Sequence, residues 1–521
     1  MGIPTLPQRG LRRPATFGRA AACAVACALA LPASAQGAGG SGGFTLMPTF
    51  SAEADYLDIR GGAGANYGGE AVGRLSPGLR VSSRSGRVQG WLDYTGSLIY
   101  RRGREASDGH EIQNGLSASF LAEVVPNRAY VDTRASISRQ AISAFGQQSA
   151  DGSLQSNANS TEVSTLSISP YVNGGLGDLA NYEVRLNAVA SSSRAAGAAD
   201  SNGTGGSVAL RSPRSGAILG WGLSASQQRS EFKGSSPSTT DNSRIDATLT
   251  MNPAPDVRLF ARAGRESADE GALADRRQYN TRGGGLLWTP SVRTSLSAEL
   301  EQRYFGRASH VDFSHRSART FWSYTASHDT NNSLDSLTTS APLPLYRQYD
   351  ALLTSAYPDP ASRDAAVLAY LALQGLNPNA LGSTGFLTSG LSIQRRQDLS
   401  FTWIGQRTTL SLQAYTNSVS QIMTLGDADP AEGEATRQHG YSSILTHALT
   451  PTTSVSLGGL RSMTFGTSTQ SGNDLKSANI SLTNQVGPRA SVQMSTRYSV
   501  FNSATDPYRE TSVSASLSLR F

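Results

Sequence analysis

Chemistry-bearing side chains are the first thing to test in this chain. His447 stands among Ser442, Ser443 and Thr446, the residue types of a nucleophilic hydrolase. On so serine-rich a chain that company is expected by chance, so no triad is assigned. The six histidines, His110, His310, His315, His328, His439 and His447, are scattered. None falls in an H-E-x-x-H spacing or beside a cysteine, so no metal-ligand set forms. The stretch "GGAGANYGG" (61–69) is glycine-rich, yet no lysine follows and no strand–helix context supports a phosphate cradle. The sequence therefore assigns no catalytic residue, no cofactor and no metal, and reads as a non-enzyme.

A second set of polar residues carries a pattern instead. Asp93, Asp132, Arg134, Glu183, Arg185, Arg258 and Arg262 fall on the polar side of a strict two-residue alternation. Glu299, Glu301, Arg303 and Arg497 join them. If the apolar side faces lipid, these eleven residues line a lumen. Arginine there could grip carboxylates or phosphates of an anionic polymer through its planar fork. Equally, the mixed signs suit cross-strand ion pairs that stiffen the wall, since a strongly selective pore tends to carry one dominant charge.

The elements that would hold these residues are long alternating strands. In "NYEVRLNAVA", Tyr182, Val184, Leu186 and Ala188 take one face, with Glu183, Arg185 and Asn187 on the other. "RTSLSAELEQRYF", "AYVDTRASIS", "RTTLSLQAYT" and "ASVQMSTRYSV" repeat the scheme. Each run takes roughly 10–14 residues, longer than an ordinary strand and long enough to cross a bilayer at a tilt. Short turns rich in Pro or Gly, such as "RSGR", "VPNR", "NPAPD" and "GPR", alternate with long polar loops such as "FGQQSADGSLQSNANS" and "TLGDADPAEGEA". Short turns at one rim and long loops at the other mark an outer-membrane barrel. Counting turns predicts an all-β fold, a transmembrane antiparallel β-barrel of about 22 strands, with about 18 to 24 as the range. The rival is a soluble secreted β-protein, which would show shorter strands and a fixed short repeat. Aromatic residues near strand ends, including Tyr56, Tyr130, Trp288, Tyr304 and Tyr508, fit interfacial girdles.

One segment breaks the alternation. Residues 331–387 include "PDPASRDAAVLAYLALQGLNP", where Ala365, Leu368, Leu371 and Ala372 sit at helical spacing. They predict a partly helical loop insertion on the long-loop side: a plug, an external lid, or, preferred, a surface loop whose one short helix packs on the rim.

The remainder of the chain supports an exported membrane protein. Arg9, Arg12, Arg13 and Arg19 precede the apolar "AAACAVACALAL" and the "PASA" that ends at Ala35, which predicts a cleaved signal peptide over 1–35. A flexible Gly/Ser linker follows over 36–43, and the barrel occupies 44–521. Both cysteines, Cys23 and Cys27, lie in the leader, so the mature chain has no disulfide framework. Hydrophobic residues make up only 38% and charged ones 16%, a mixture suited to strands with one apolar and one uncharged polar face. The net charge of +6 comes almost wholly from arginine, without a basic cluster or an aromatic platform. Nucleic acid is therefore not an expected partner.

Several stretches resemble a family of outer-membrane β-barrel proteins associated with PEP-CTERM/exosortase systems and exopolysaccharide loci. They are "SRQAISAFGQQS" (138–149), "SPYVNGGLGDLANYEVRL" (169–186), "YPDPASRDAAVLAYL" (357–371) and "LSFTWIGQRTTLSL" (399–412). The resemblance implies a Gram-negative outer-membrane location and work as a conduit or scaffold beside polysaccharide export or surface-protein sorting. The partners it implies are outer-membrane lipid, an anionic polysaccharide or export-system components; it implies no active site. A non-transporting adhesin and, less favoured, a membrane hydrolase are the alternatives. The terminal "TSVSASLSLRF" is expected to be the closing strand. Phe521 after alternating apolar residues resembles the signal read by the barrel assembly machinery.

Overall fold

The computed structural model describes residues 43–61, 68–83, 86–103, 109–150, 158–195, 200–213, 218–233, 237–270, 277–332, 367, 391–421, 435–487 and 489–521. The expected leader, most of the linker and most of "GGAGANYGG" lie outside them. The insertion expected over 331–387 also lies outside, apart from Asn331 and Asn332, which end a strand, and the single position Val367. Its expected helix therefore falls outside the described residues, whose elements are all strands.

The first strands are β1 (Thr45–Gly61), β2 (Gly68–Ser83), β3 (Val88–Arg102), β4 (Gly109–Val125), β5 (Ala129–Ala141), β6 (Ser160–Leu176) and β7 (Ala180–Ser193). They continue as β8 (Asp200–Arg211), β9 (Leu219–Lys233), β10 (Ser238–Ala254), β11 (Val257–Glu270), β12 (Arg277–Ser291), β13 (Thr294–Arg303), β14 (Gly306–Arg316) and β15 (Thr320–Asn332). The last are β16 (Leu391–Ile404), β17 (Thr408–Gln421), β18 (Thr436–Ala448), β19 (Thr453–Thr464), β20 (Asn473–Gly487), β21 (Ala490–Ser503) and β22 (Tyr508–Arg520).

Each strand runs antiparallel to its sequence neighbours, and the ring closes where β1 pairs with β22 from Thr49↔Arg520 to Gly61↔Tyr508. The fold is a closed 22-stranded barrel. Closure leaves no free edge, so every wall strand finds both backbone partners within the sheet. At the seam the backbone N–H of Phe521 donates to the Pro48 carbonyl at 3.0 Å.

Strand pairing slips at one rim only. Shifts occur at Glu123/Val125, Met251/Ala254, Trp288/Ser291 and Gln485/Gly487, each beside a short turn. Pro253 and Pro290 sit in two of them, where the absent N–H breaks no ladder. In the turn "VPNR", Asn127 takes φ 55°, a left-handed conformation that asparagine tolerates, and its N–H donates to Glu123 Oε1 at 2.5 Å.

Alternation sorts the two faces. Tyr56, Leu186, Ile245, Leu249, Leu300, Met494 and Val513 all project outward and are exposed. The intervening Ser, Thr, Asp, Glu and Arg point inward. In β22 the rule is complete: Val513, Ala515 and Leu517 face out, while Ser512, Ser514 and Ser516 face in. A chain of modest hydrophobic content thus concentrates its apolar side chains on the outer surface of the wall, the inverse of a soluble protein.

Candidate functional site

The inward face of β10 to β15 carries an ionic wall. Arg262 Nη1 donates to Glu299 Oε1 at 2.6 Å and lies 3.9 Å from Glu301 Oε2. Arg244 Nε donates to Asp246 Oδ2 at 2.5 Å, and its other arm pairs with Glu301. Arg303 grips the fully buried Glu266 through two nitrogens and also pairs with Asp329. Beside them, His310 Nε2 lies 2.5 Å from Asp312 Oδ2, whose other oxygen accepts from Thr325 Oγ1 at 2.9 Å. Within this ion-paired cluster three arginines face five carboxylates, Asp246, Glu266, Glu299, Glu301 and Asp329, so the cluster is net acidic; Arg258 on β11 and Arg316 on β14 also take inward positions outside it.

Glycine makes these long reaches possible. Arg262 on β11 sits opposite Gly283 on β12, and Gly283 sits opposite Glu301 on β13. A side chain at Gly283 would start 2.5 Å from the Leu300 carbonyl oxygen and 2.9 Å from Glu301 Cα. Gly285, also inward, is covered by the Phe260 ring, 2.4 Å from where a Cβ would stand. The triplet in "RGGGLLW" therefore opens a corridor across β12 through which arginine and glutamate meet.

Across the lumen a different structure narrows the space. Residues 142–150, between β5 and β6, fold inward, and none of them is exposed. Asn159 organises this segment. Its Oδ1 accepts from the Ser143 N–H at 2.9 Å, and its Nδ2 donates to the carbonyls of Ser143 at 2.8 Å and Gln147 at 3.2 Å. Gly146 permits the approach, since a Cβ there would lie 2.3 Å from the Asn159 amide carbon. Two tethers dock the segment on the far wall. Asn473 Nδ2 donates to the Ala144 carbonyl at 2.9 Å, and Tyr508 Oη donates to the Gln148 carbonyl at 2.7 Å. Ala150 packs against a buried inward cluster of Leu57, Ile59, Val72, Ile99, Leu475, Phe501 and Tyr508. This apolar patch on a polar lumen wall is what the segment covers.

The eleven charged residues singled out by alternation all take inward positions, but they surround the lumen rather than converge. Asp93 accepts from Arg80 at 3.1 Å, and its second contact is 2.5 Å. Asp132 pairs with Arg134 at 3.1 Å, and Glu183 with Arg185 at 3.1 Å. The Arg185 guanidinium also lies 4.0 Å from the centre of the Tyr171 ring, which stacks on Tyr130 at 5.1 Å. Arg258 Nε donates to Asn252 Oδ1 at 3.2 Å near the short-turn rim. Arg497 is opposite Ser512. Only Arg262, Glu299, Glu301 and Arg303 come together, in the ionic wall.

Sequence reasoning missed Arg244, Asp246, Glu266 and Asp329 in that wall, although the same alternation marks them. It also missed the inward pairs Glu53–Arg74 at 3.3 Å, Glu70–Arg101 at 3.7 Å and Arg396–Asp398 at 2.6 Å. Three girdle assignments need correction. Tyr130 and Tyr508 face the lumen because they share parity with Asp132 and Glu510, and Tyr304 is buried against Ala268, Tyr279 and Phe305, whereas Tyr56 and Trp288 do face outward and are exposed. His447 lies on the outward face, its Nδ1 2.9 Å from Thr408 Oγ1.

No family model matches the chain, and no curated protein does. Solved structures do. The siderophore receptor PirA from Acinetobacter baumannii aligns with a TM-score of 0.48 at 7% identity, covering 91% of this chain and 80% of that one. The Pseudomonas aeruginosa pyoverdine-bound FpvA aligns at 0.45 and 9% identity, covering 91% and 72%. The Neisseria meningitidis iron transporter FrpB aligns at 0.44 and 9%, covering 91% and 82%. At such identities and scores the likeness carries nothing about cargo or partners.

Proposed function

We propose that this chain is an outer-membrane barrel acting as a conduit, narrowed by the docked segment 142–150. The observation that supports the reading is the two-faced wall, with exposed aliphatic and aromatic side chains outside and paired charges inside, closed into a ring. Such a wall is unstable in water and suited to a bilayer, where every backbone group must find an internal partner. The strands, 10 to 17 residues long, reach across the hydrocarbon at a tilt.

The lumen's chemistry bears on cargo. An anionic polysaccharide, the cargo implied by the family resemblance, needs arginine forks to grip. Those of Arg80, Arg244, Arg262 and Arg303 are engaged by carboxylates. The ion-paired cluster on β10 to β15 carries surplus negative charge and locally favours neutral or cationic solutes. Work beside polysaccharide export is then better served by neutral hydrated chains or by a scaffolding role. The docked segment favours the scaffold as the second reading, with the lumen held closed.

Planar-bilayer recording of the refolded barrel tests the conduit. A small conductance is expected from the intact chain and a larger one from a variant lacking Ser143–Ala150. No conductance from either, in barrels that retain heat-modifiable gel mobility, sinks the conduit and leaves the scaffold.

A further inference from the structure

On the outward face near the long-loop rim, one row of laterally paired residues crosses five strands. Arg461 on β19 is opposite Lys476 on β20, Lys476 is opposite Val500 on β21, Val500 opposite Arg509 on β22, and Arg509 opposite Arg60 on β1. Four of the five positions are cationic. The flanking strands are about 4.8 Å apart, so the row extends about 19 Å. Like charges directly opposite one another are destabilising on a sheet, yet this row contains two such pairs, Arg461/Lys476 and Arg60/Arg509.

Among the described residues, two carboxylates form ion pairs with them. Asp474 accepts from Arg461 through both oxygens at 3.1 Å and lies 3.1 Å from Lys476. Asp58 accepts from Arg60 Nε at 2.9 Å. Among the described residues, no carboxylate forms an ion pair with Arg509. The side chains stay available: Arg60 is 81% exposed, Arg461 47% and Lys476 50%.

What lies beside the row on the same outward parity identifies the partner. Moving toward the short-turn rim, the columns continue as Leu457 on β19, Ile480 and Leu482 on β20, Met494 on β21, Val513 and Leu517 on β22 and Tyr56 on β1, all exposed. A ligand that covers both levels is anionic at its head and apolar along its body. A soluble anion or an acidic protein surface would leave the apolar columns uncovered.

We propose that the row Arg461, Lys476, Arg509 and Arg60 binds the phosphorylated headgroup of an outer-leaflet glycolipid, whose acyl chains lie along the aliphatic columns beneath. This rests on the barrel spanning the outer membrane with its long loops outward, and is independent of whether the lumen conducts. Phosphate oxygens between the opposed cations would relieve the like-charge repulsion that the two aspartates leave.

The test is binding of bisphosphorylated lipid A to the detergent-solubilised full-length barrel, measured by native mass spectrometry, against the same lipid enzymatically stripped of phosphate. Lys476→Gln with Arg509→Gln is expected to weaken binding of the bisphosphorylated lipid about 30-fold, the equivalent of about 2 kcal/mol. The stripped lipid is expected to bind both proteins equally weakly. Equal affinity of wild type and variant, or undiminished binding of the stripped lipid, overturns the proposal. Competition by millimolar inorganic phosphate alone would mean a free-anion site and also overturns it. Unchanged heat-modifiable mobility shows that the variant is folded. If the double variant fails that check, Lys476→Gln alone is expected to weaken binding about fivefold, and no change in it is decisive against the row. Conductance is expected to be the same in all of them, so failure here is distinct from failure of the conduit.

Discussion

The docked segment makes the most direct claim on function, and its tethers can be cut without touching its fold. Tyr508→Phe removes the hydroxyl that donates to the Gln148 carbonyl but keeps the ring, which stacks on Phe501 with centroids 5.4 Å apart. Asn473→Ala removes the donor to the Ala144 carbonyl. Hydrogen bonds within the segment, centred on Asn159, are retained in both. A neutral hydrogen bond contributes about 1 kcal/mol net, so each substitution shifts the docked-to-released ratio about fivefold, and the pair about 30-fold. Single-channel recording reads that ratio as the time spent in the higher of two conductance levels. The singles are expected to raise it by similar factors and the double by their product, since the tethers touch different residues. A double variant that is folded by heat-modifiable mobility yet gates as the wild type would refute the claim that these bonds hold the constriction.

Three further outcomes follow from the wall. Glu266→Gln removes the buried one of the two carboxylates that neutralise Arg303 and leaves Asp329, and loss of a charge-assisted hydrogen-bonded partner costs about 2 kcal/mol; the barrel should unfold at a lower temperature in a heat-modifiability series. Gly283→Val should sharply reduce the yield of folded barrel, because its side chain would start 2.5 Å from a carbonyl oxygen, whereas Gly73→Val, with nothing within 4 Å, should fold normally. The intact channel should favour cations in a potassium chloride gradient, and Glu299→Gln with Glu301→Gln should move the reversal potential toward zero, because these carboxylates supply the surplus negative charge of the ion-paired cluster.

The strands were legible because a barrel wall obeys one local rule. In "NYEVRLNAVA" or "SVSASLSLR", side-chain period alone decides which residue meets the lumen, with no knowledge of the neighbouring strand. Turn chemistry is equally local: "VPNR" and "NPAPD" place Pro where no donor is needed and Asn where the backbone turns left-handed. The constriction follows no such rule. Asn473 meets Ala144 across 329 residues of sequence, and Tyr508 meets Gln148 across 360. "SAFGQQ" read alone is a polar loop; only the apolar patch of Leu57, Ile99, Leu475 and Phe501 on the opposite wall gives it a reason to fold inward. The signal for that patch was present as apolar residues at lumen parity in β1, β3, β20 and β21, where serine or threonine would otherwise be expected.

The two sides of the lumen solve one physical problem in different ways. A wide ring of strands has no packed core, so inward side chains must stabilise the wall from within or leave it pliable. On β10 to β15, arginine–carboxylate pairs cross two and three strands and lock their spacing, with glycine clearing their path. On the arc around the seam, from β20 through β22 and β1 to β3, an apolar cluster does so, capped by the 142–150 segment. These mechanisms respond to different perturbations. Salt weakens exposed ion pairs and leaves apolar docking intact or strengthens it. Raised ionic strength should therefore soften the partly exposed inward pairs such as Arg262–Glu299 while the constriction stays docked, so the occupancy of the two conductance levels set by the segment should not change with salt once conductance is scaled to that of the bulk electrolyte.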